Sequence, residues 1–216
     1  MIPLKDHNPN PKFPWLTIAL IVANILVFLL VNILLSSQLE NTYDSYALVP
    51  DEITRGDELH TLLTSMFLHG GWLHIIGNMW FLFIFGDNLE SELGRFRYLG
   101  LYLVSGLIAS AAQILANPDS TVFHVGASGA IAGVMGAYIL LYPNAKIDTL
   151  VTLGFYARRT TLPALFMLGF WFVIQLISGF TSIGESAGVA FWAHAGGFAA
   201  GAILVLPLKL SLNNRS

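Results

Sequence analysis

Gly126-Ala127-Ser128-Gly129 sets a serine among small residues at the start of an apolar run. At a loop-to-helix junction of this kind the hydroxyl is sterically open, and the unpaired N–H groups of the first helical turn can serve a developing oxyanion. Such a serine could act as an acyl-transfer nucleophile if a base stood beside it. His194, in Phe191-Trp192-Ala193-His194-Ala195-Gly196-Gly197, is the one histidine of the last apolar run and could take the serine proton and return it to a leaving amine. His74 and Asn78 lie four residues apart, hence on one face of a helix, and both can donate to an oxyanion. Each feature also has a plainer reading. Gly126, Ser128, Gly129, Gly133 and Gly136 could simply let helices approach, and Gly197 and Gly201 could do the same for the last run. His194 could be a buried imidazole satisfied by a backbone carbonyl. His74 and Asn78 could be interhelical glue worth about 0.6–2 kcal/mol per bond.

Other chemistries find less support. The chain has no cysteine, which removes disulfides, thiolate metal sites and cysteine catalysis together. No His-Glu-x-x-His sequence is present for zinc. Asp87, in Phe85-Gly86-Asp87, is the single aspartate in an apolar run and lies at that run's inner end, so a paired-aspartate mechanism is not expected. No carboxylate falls in the outer half of any run, which leaves a Ser–His dyad rather than a triad, with no metal and no organic cofactor.

The elements that must position these residues follow from composition. Of 216 residues, 55% are hydrophobic and 11% charged, against roughly 25% charged in a soluble domain, so the bilayer is the expected solvent. The net charge of -3 gives no basis for a nucleic-acid partner. Apolar runs cover 15–35, 72–89, 96–116, 128–142, 162–180 and 189–208, most of them near the ~20 residues that cross a membrane as a helix. The expected fold is therefore an all-α membrane protein of six transmembrane helices, with 1–14 as an N-terminal segment, 15–208 as one membrane domain and 209–216 as a C-terminal tail. The first run is read as a retained helix, since it is too long for a signal-peptide core and lacks a convincing cleavage site. The fourth run is the shortest, so its start must lie below the membrane surface and be reached by a dipping loop enclosed by protein or a water-filled cavity.

Lys5, Lys12, Arg95, Arg97, Lys146, Arg158, Arg159, Lys209 and Arg215 share one side if six spans alternate, and only Arg55 is opposite, so both termini are expected in the cytoplasm. Acidic residues from Glu40 to Glu58, with Asp119 and Glu185, then face outward. In that topology His74, Asn78, Ser128 and His194 all fall in the outer part of the membrane at comparable depth. The outer segment 36–71 is expected to carry short interfacial helices and to pack on the bundle through its apolar clusters at 46–49 and 62–68. Asn24, Asn32, Gln113 and Gln175 read as interhelical hydrogen-bonding residues, and Trp15, Trp72, Tyr142 and Trp192 as interfacial anchors. His69 and His124 read as substrate contacts or exposed loop residues, and His7 and His60 as incidental.

The residues His69-Gly70-Gly71-Trp72-Leu73-His74-Ile75-Ile76-Gly77-Asn78-Met79, then Gly126-Ala127-Ser128-Gly129, then Ala193-His194-Ala195-Gly196-Gly197 resemble the three signatures of the rhomboid family of intramembrane serine proteases. The resemblance covers about 46–208. It implies a rhomboid-like six-helix bundle in which Ser128 is the nucleophile, His194 the general base, and His74, Asn78 and the Ser128 N–H the oxyanion hole. It implies transmembrane proteins, single-pass above all, as substrates, cut near the outer face, with span five and the loop 181–188 as gate. Glu90, Gly94, Arg95 and Arg97 match the family's charged cluster at the inner end of span two and are read as structural. Two positions depart from the pattern. Ala132 stands where some members carry a tyrosine packed on the histidine, so another group must orient His194. The Trp-Arg pair of the first outer loop is absent near Leu59-His60.

Two rival functions fit parts of the sequence. An inactive rhomboid-like protein that binds membrane clients predicts loss of the dyad, of which both members are present here. A small transporter or channel using the buried His and Asn as a polar pathway predicts that Ser128→Ala is tolerated. The expected location is a multi-pass position in a prokaryotic plasma (inner) membrane, with an organelle as the alternative.

Overall fold

The computed structural model describes residues 1–8, 10, 12–153, 156–181 and 189–213. Helix α1, Trp15–Leu29, starts directly after Pro14 and runs on as a π-helical turn at Leu30–Leu34. No local side chain caps its start. The carboxylate of Glu90 does so from another helix, accepting from Leu16 N at 2.9 Å, Thr17 N at 2.8 Å and Thr17 Oγ1 at 3.0 Å.

Segment 36–71 folds into short helices, as expected: α2 is Leu39–Tyr46, α3 Pro50–Arg55 and α4 Thr61–Thr64. It packs on the bundle through buried Ala47, Leu48, Val49, Met66 and Leu68. Leu48 also pairs by backbone with His124 in an isolated β-bridge, tying this segment to the loop that leads to Ser128.

Helices α5, Trp72–Leu93, and α6, Arg95–Ala116, meet at Gly94, whose φ of 75° suits glycine at this sharp corner. Helix α7, Ser128–Leu141, has only 14 residues and is buried from Gly129 to Tyr138. A helix apolar all round has to lie inside other helices. Helices α8, Ala164–Thr181, and α9, Phe191–Asn213, complete the bundle. Among the described residues, four stretches are long and apolar enough to cross a membrane: Trp15–Leu34, Arg95–Ala116, Ala164–Thr181 and Phe191–Leu210. Helix α5 reaches that standard only together with Thr61–Phe67, from which it is bent by 93°. Among the described residues four helices, or five if the bent pair is one span, meet that length and composition, and α7 of the expected six is too short to cross unaided.

The all-α expectation needs correction. A three-stranded antiparallel sheet, order β1-β2-β3, joins β1 (Ile2–Asp6), β2 (Lys146–Leu153) and β3 (Tyr156–Pro163). Strand β2 pairs β3 from Lys146↔Pro163 to Leu153↔Tyr156, and β1 lies on the other edge of β2 with Ile2↔Leu150 and Asp6↔Ile147. Leu162 and Pro163, expected in span five, belong to the strand, and the helix opens at Ala164. Residues 1–14 read as a polar lead-in because the partners of their strand come some 140 residues later. Strand β1 also runs along α5: Trp80 Nε1 donates to Pro3 O at 2.6 Å, Asn88 Nδ2 to Asp6 at 2.8 Å and Asn10 Nδ2 to the Asp87 carbonyl at 2.8 Å. Tyr138 of α7 donates its hydroxyl to the same Asp6 at 2.8 Å. His7, read as incidental, reaches Asp148 of β2 at 3.0 Å, and Arg159 and Thr161 of β3 bind the same carboxylate.

Candidate active site

Helix α7 lies between α6 and α9 at distances that only small residues permit. A Cβ on Gly197 or Gly201 of α9 would collide with the carbonyl oxygen of Gly129 or Gly133 of α7, and one on Gly136 with the carbonyl of Phe198. On the other face, a Cβ on Gly129 would stand 2.6 Å from the Ala109 methyl of α6, and one on Gly133 would overlap Ser105. Backbone thus rests on backbone along α7 and α9, the form that van der Waals packing takes where lipid tails remove the usual hydrophobic drive.

This contact brings together residues 66 positions apart. His194, in the first turn of α9, has Nε2 2.8 Å from Ser128 Oγ at the start of α7. Both ends of the imidazole are engaged, for its Nδ1 lies 2.8 Å from Oε1 of Gln175 on α8. Trp171, one turn earlier on α8, packs on the ring with centroids 5.8 Å apart and planes at 37°. Gln175 and Trp171 thus both touch the His194 ring from α8. Gln175 was legible as an interhelical hydrogen-bonding residue, and Gln113 likewise meets another helix, accepting from Ala193 N at 3.3 Å. Nothing in the sequence paired Gln175 with His194, since helix rotation decides which face α8 turns inward. Asn24 and Asn32, expected to bond between helices, donate to the carbonyls four residues back, Leu20 O at 2.8 Å and Phe28 O at 3.0 Å, while also facing Tyr102 of α6 and Tyr43 of α2. A short amide can donate to its own preceding turn and still face a neighbouring helix.

His74 and Asn78 share the face of α5 turned to the loop before Ser128. Gly126, with φ of 124°, runs so close that a Cβ there would stand 2.7 Å from His74 Nε2 and 3.5 Å from Asn78 Nδ2. His74 Nδ1 accepts from Gly70 N at 3.4 Å, which leaves the hydrogen of a neutral ring on Nε2, the nitrogen beside Gly126. Asn78 Nδ2 is buried with no hydrogen-bond partner among the described residues. His74, Asn78, Ser128, His194, His124 and Trp171 line one cavity of about 860 Å³.

The two loop histidines are more buried than expected. His69 is 1% exposed, packs edge-on against His74 at 5.1 Å and has Nε2 unpaired. His124 lines the cavity, its Nε2 also buried and unpaired, and burial holds its imidazole below the ordinary histidine range. The gate expected at the loop 181–188 falls outside the described residues from 182 onward, as do Glu185 and Arg215. Among the described residues, no three His, Asp or Glu side chains gather as a group that could hold a metal ion.

A hydroxyl bonded to an imidazole beside a cavity that His74 and Asn78 also line is an arrangement suited to acyl transfer. The Rhomboid domain family matches residues 56–210. The chain is 30% identical over 230 residues to RHOMBOID-like protein 4 of Arabidopsis thaliana, covering 89% of this chain and 52% of that protein. It is 36% identical over 149 residues to RHOMBOID-like protein 5 of the same plant, 69% of this chain and 44% of that protein. It is 31% identical over 201 residues to rhomboid protease GluP of Bacillus subtilis, 93% of this chain and 36% of that protein. The chain thus spans about half the length, or less, of these curated relatives.

Proposed function

The chain belongs to the rhomboid family, and from that premise we propose that it is an intramembrane serine endopeptidase that hydrolyses peptide bonds of transmembrane proteins through a Ser128–His194 dyad. The observation that carries the reading is the 2.8 Å contact between Ser128 Oγ and His194 Nε2, made inside a cavity by helices held at glycine distance. A bundle designed only for packing has no need of a hydroxyl and an imidazole at that junction.

Acylation begins when His194 Nε2 takes the Ser128 hydroxyl proton as Oγ attacks the scissile carbonyl carbon. The oxyanion receives hydrogen bonds from His74 Nε2–H, Asn78 Nδ2–H and the Ser128 backbone N–H, the last free because it lies in the first turn of α7. Collapse breaks the C–N bond, and the departing amine takes the proton from His194. Water then attacks the acyl-enzyme with His194 again as base, releasing the carboxylate product and restoring the serine. No step calls for a metal or an organic cofactor. Substrates of this reading are single-pass and other transmembrane proteins cut near the outer face. Both termini are cytoplasmic, six helices form the bundle and the host is a prokaryotic plasma membrane.

The test is cleavage of a transmembrane model substrate by the detergent-solubilised protein, with Ser128→Ala and His194→Ala beside wild type. Cleavage by wild type alone is expected. Equal cleavage by all three sinks the proposal. Fluorophosphonate labelling, which requires an activated serine and no particular substrate, separates a wrong choice of substrate from an inert site.

A further inference from the structure

The dyad leaves open what fixes the base, and α8 supplies a candidate at hydrogen-bond distance. We propose that Gln175 is a positioning residue for His194: its side-chain oxygen accepts the Nδ1–H and holds the imidazole in the tautomer whose Nε2 lone pair faces Ser128 Oγ. This rests on the Ser128–His194 reading above and adds to it the element that orients the base.

A neutral imidazole carries one N–H and one lone pair, and the partner of one nitrogen decides the role of the other. With both contacts at 2.8 Å, an acceptor at Nδ1 leaves Nε2 as the acceptor for the serine hydroxyl. Without it, a share of the molecules would present an N–H to Ser128 and be unable to take its proton. Gln175 is buried, so water is poorly placed to substitute. Among the described residues no other neighbour is free for the task. Gln113 of α6 is engaged by Ala193 N, α7 contributes Ser128 itself, and Trp171 offers a ring face. The other titratable groups among the described residues that line the cavity with His194 are His74 of α5 and His124. The choice of an amide over a carboxylate also has a physical sense, for an unpaired charge on an apolar helix is costly to bury, while an amide oxygen orients the ring without one. Because Gln175 and Trp171 share a face of α8, the alignment of the base depends on α8 being docked against α9.

The experiment measures the rate of fluorophosphonate labelling against pH for the full chain in detergent, comparing wild type, Ser128→Ala, Gln175→Leu and Gln175→Glu, with thermal unfolding of each. Gln175→Leu should label about ten- to a hundredfold more slowly, a smaller loss than the ~10⁴ that follows when a buried aspartate in a triad is neutralised. Gln175→Glu keeps an acceptor and should restore most of the rate, with its acid-side midpoint moved to higher pH by about one unit, because a carboxylate favours the imidazolium. A merely structural glutamine would lower unfolding temperature and rate together without moving that midpoint. The inference is overturned if Gln175→Leu labels at the wild-type rate, or if the midpoint of Gln175→Glu is unmoved. Should Gln175→Leu fail to fold, the midpoint of Gln175→Glu decides. If wild type labels no better than Ser128→Ala, the nucleophile reading falls and this one with it. A labelled wild type with an indifferent Gln175→Leu removes this one alone.

Discussion

Helix α5 carries polar residues at both ends, and the two ends are finished differently. Toward its C-terminus, Glu90 accepts three hydrogen bonds at the start of α1, and Asn88 donates to both Asp6 and Asp87 at 2.8 Å. Toward its N-terminus, Asn78 Nδ2 has no partner among the described residues, and the neighbouring loops hold His69 and His124 with Nε2 unpaired. A buried polar group that is fully bonded stabilises a fold. One left open costs on the order of 1–3 kcal/mol; Asn78 and His124 line a cavity in which a partner could be met, whereas the buried Tyr98 hydroxyl beside Gly86, also without a partner among the described residues, does not. Under the proposed function the sheet end of α5 serves stability and the Ser128 end serves reaction. A second carboxylate beside Asp87 belongs to the same contrast. Asp6 stands there by way of the N-terminal strand, but Asn88 and Tyr138 both donate to its Oδ2, as suits a clamp better than a catalytic pair.

Substitutions at each end should separate the two properties, and a crossover would break the contrast. The largest effect is expected from Ser128→Ala, with cleavage and labelling reduced by about four orders of magnitude or more and the unfolding temperature hardly moved. Asn78→Ala should lower kcat by about 10²–10³ if it donates to the oxyanion, again with little change in unfolding temperature. A large loss of stability with kcat intact would put Asn78 with the structural residues. Gly201→Val tests the frame that joins the two ends. Its side chain meets the Gly133 carbonyl of α7, so a loss of about 1–3 kcal/mol or more is expected, together with slower labelling as Ser128 and His194 separate.

Glu90→Ala should show the reverse of Asn78→Ala. Two helix N–H groups and the Thr17 hydroxyl lose their acceptor, for about 1–3 kcal/mol of stability by chemical unfolding, while labelling per folded molecule stays at the wild-type rate. The smallest effects are in pH. His124 has its pKa lowered by burial, so the folded state binds fewer protons than the unfolded one below the ordinary value near 6.5. Stability should therefore fall as pH drops through that value, and His124→Gln should flatten the slope. Asp148 has its pKa lowered chiefly by Arg159, then by Thr161 and His7, so its contribution is complete above the ordinary carboxylate range and lost only below it. Asp148→Asn should leave the slope near pH 6 unchanged, lower stability by a constant amount above the carboxylate range, and lose that effect in strong acid.

Much of the site was legible because local spacing already carried it. His74 and Asn78 share a helix face by their separation alone, Ser128 opens a helix between glycines, and Gly197 and Gly201 mark a face for close approach. The sequence by itself therefore determined the candidate nucleophile, base and oxyanion donors, along with the main helices that carry them. It did not determine the sheet, since Ile2 and Asp6 find Leu150 and Ile147 across most of the chain, and no local periodicity encodes a pairing at that distance. Nor did it determine that Asn24 and Asn32 donate to a carbonyl one turn back while facing another helix. Tertiary structure alone decided what holds His194. Which of several polar residues on an apolar helix faces a histidine on another depends on the rotation and depth of both, and these are set by packing summed over the whole bundle. Here that sum turns Gln175 toward Nδ1 and Trp171 onto the ring.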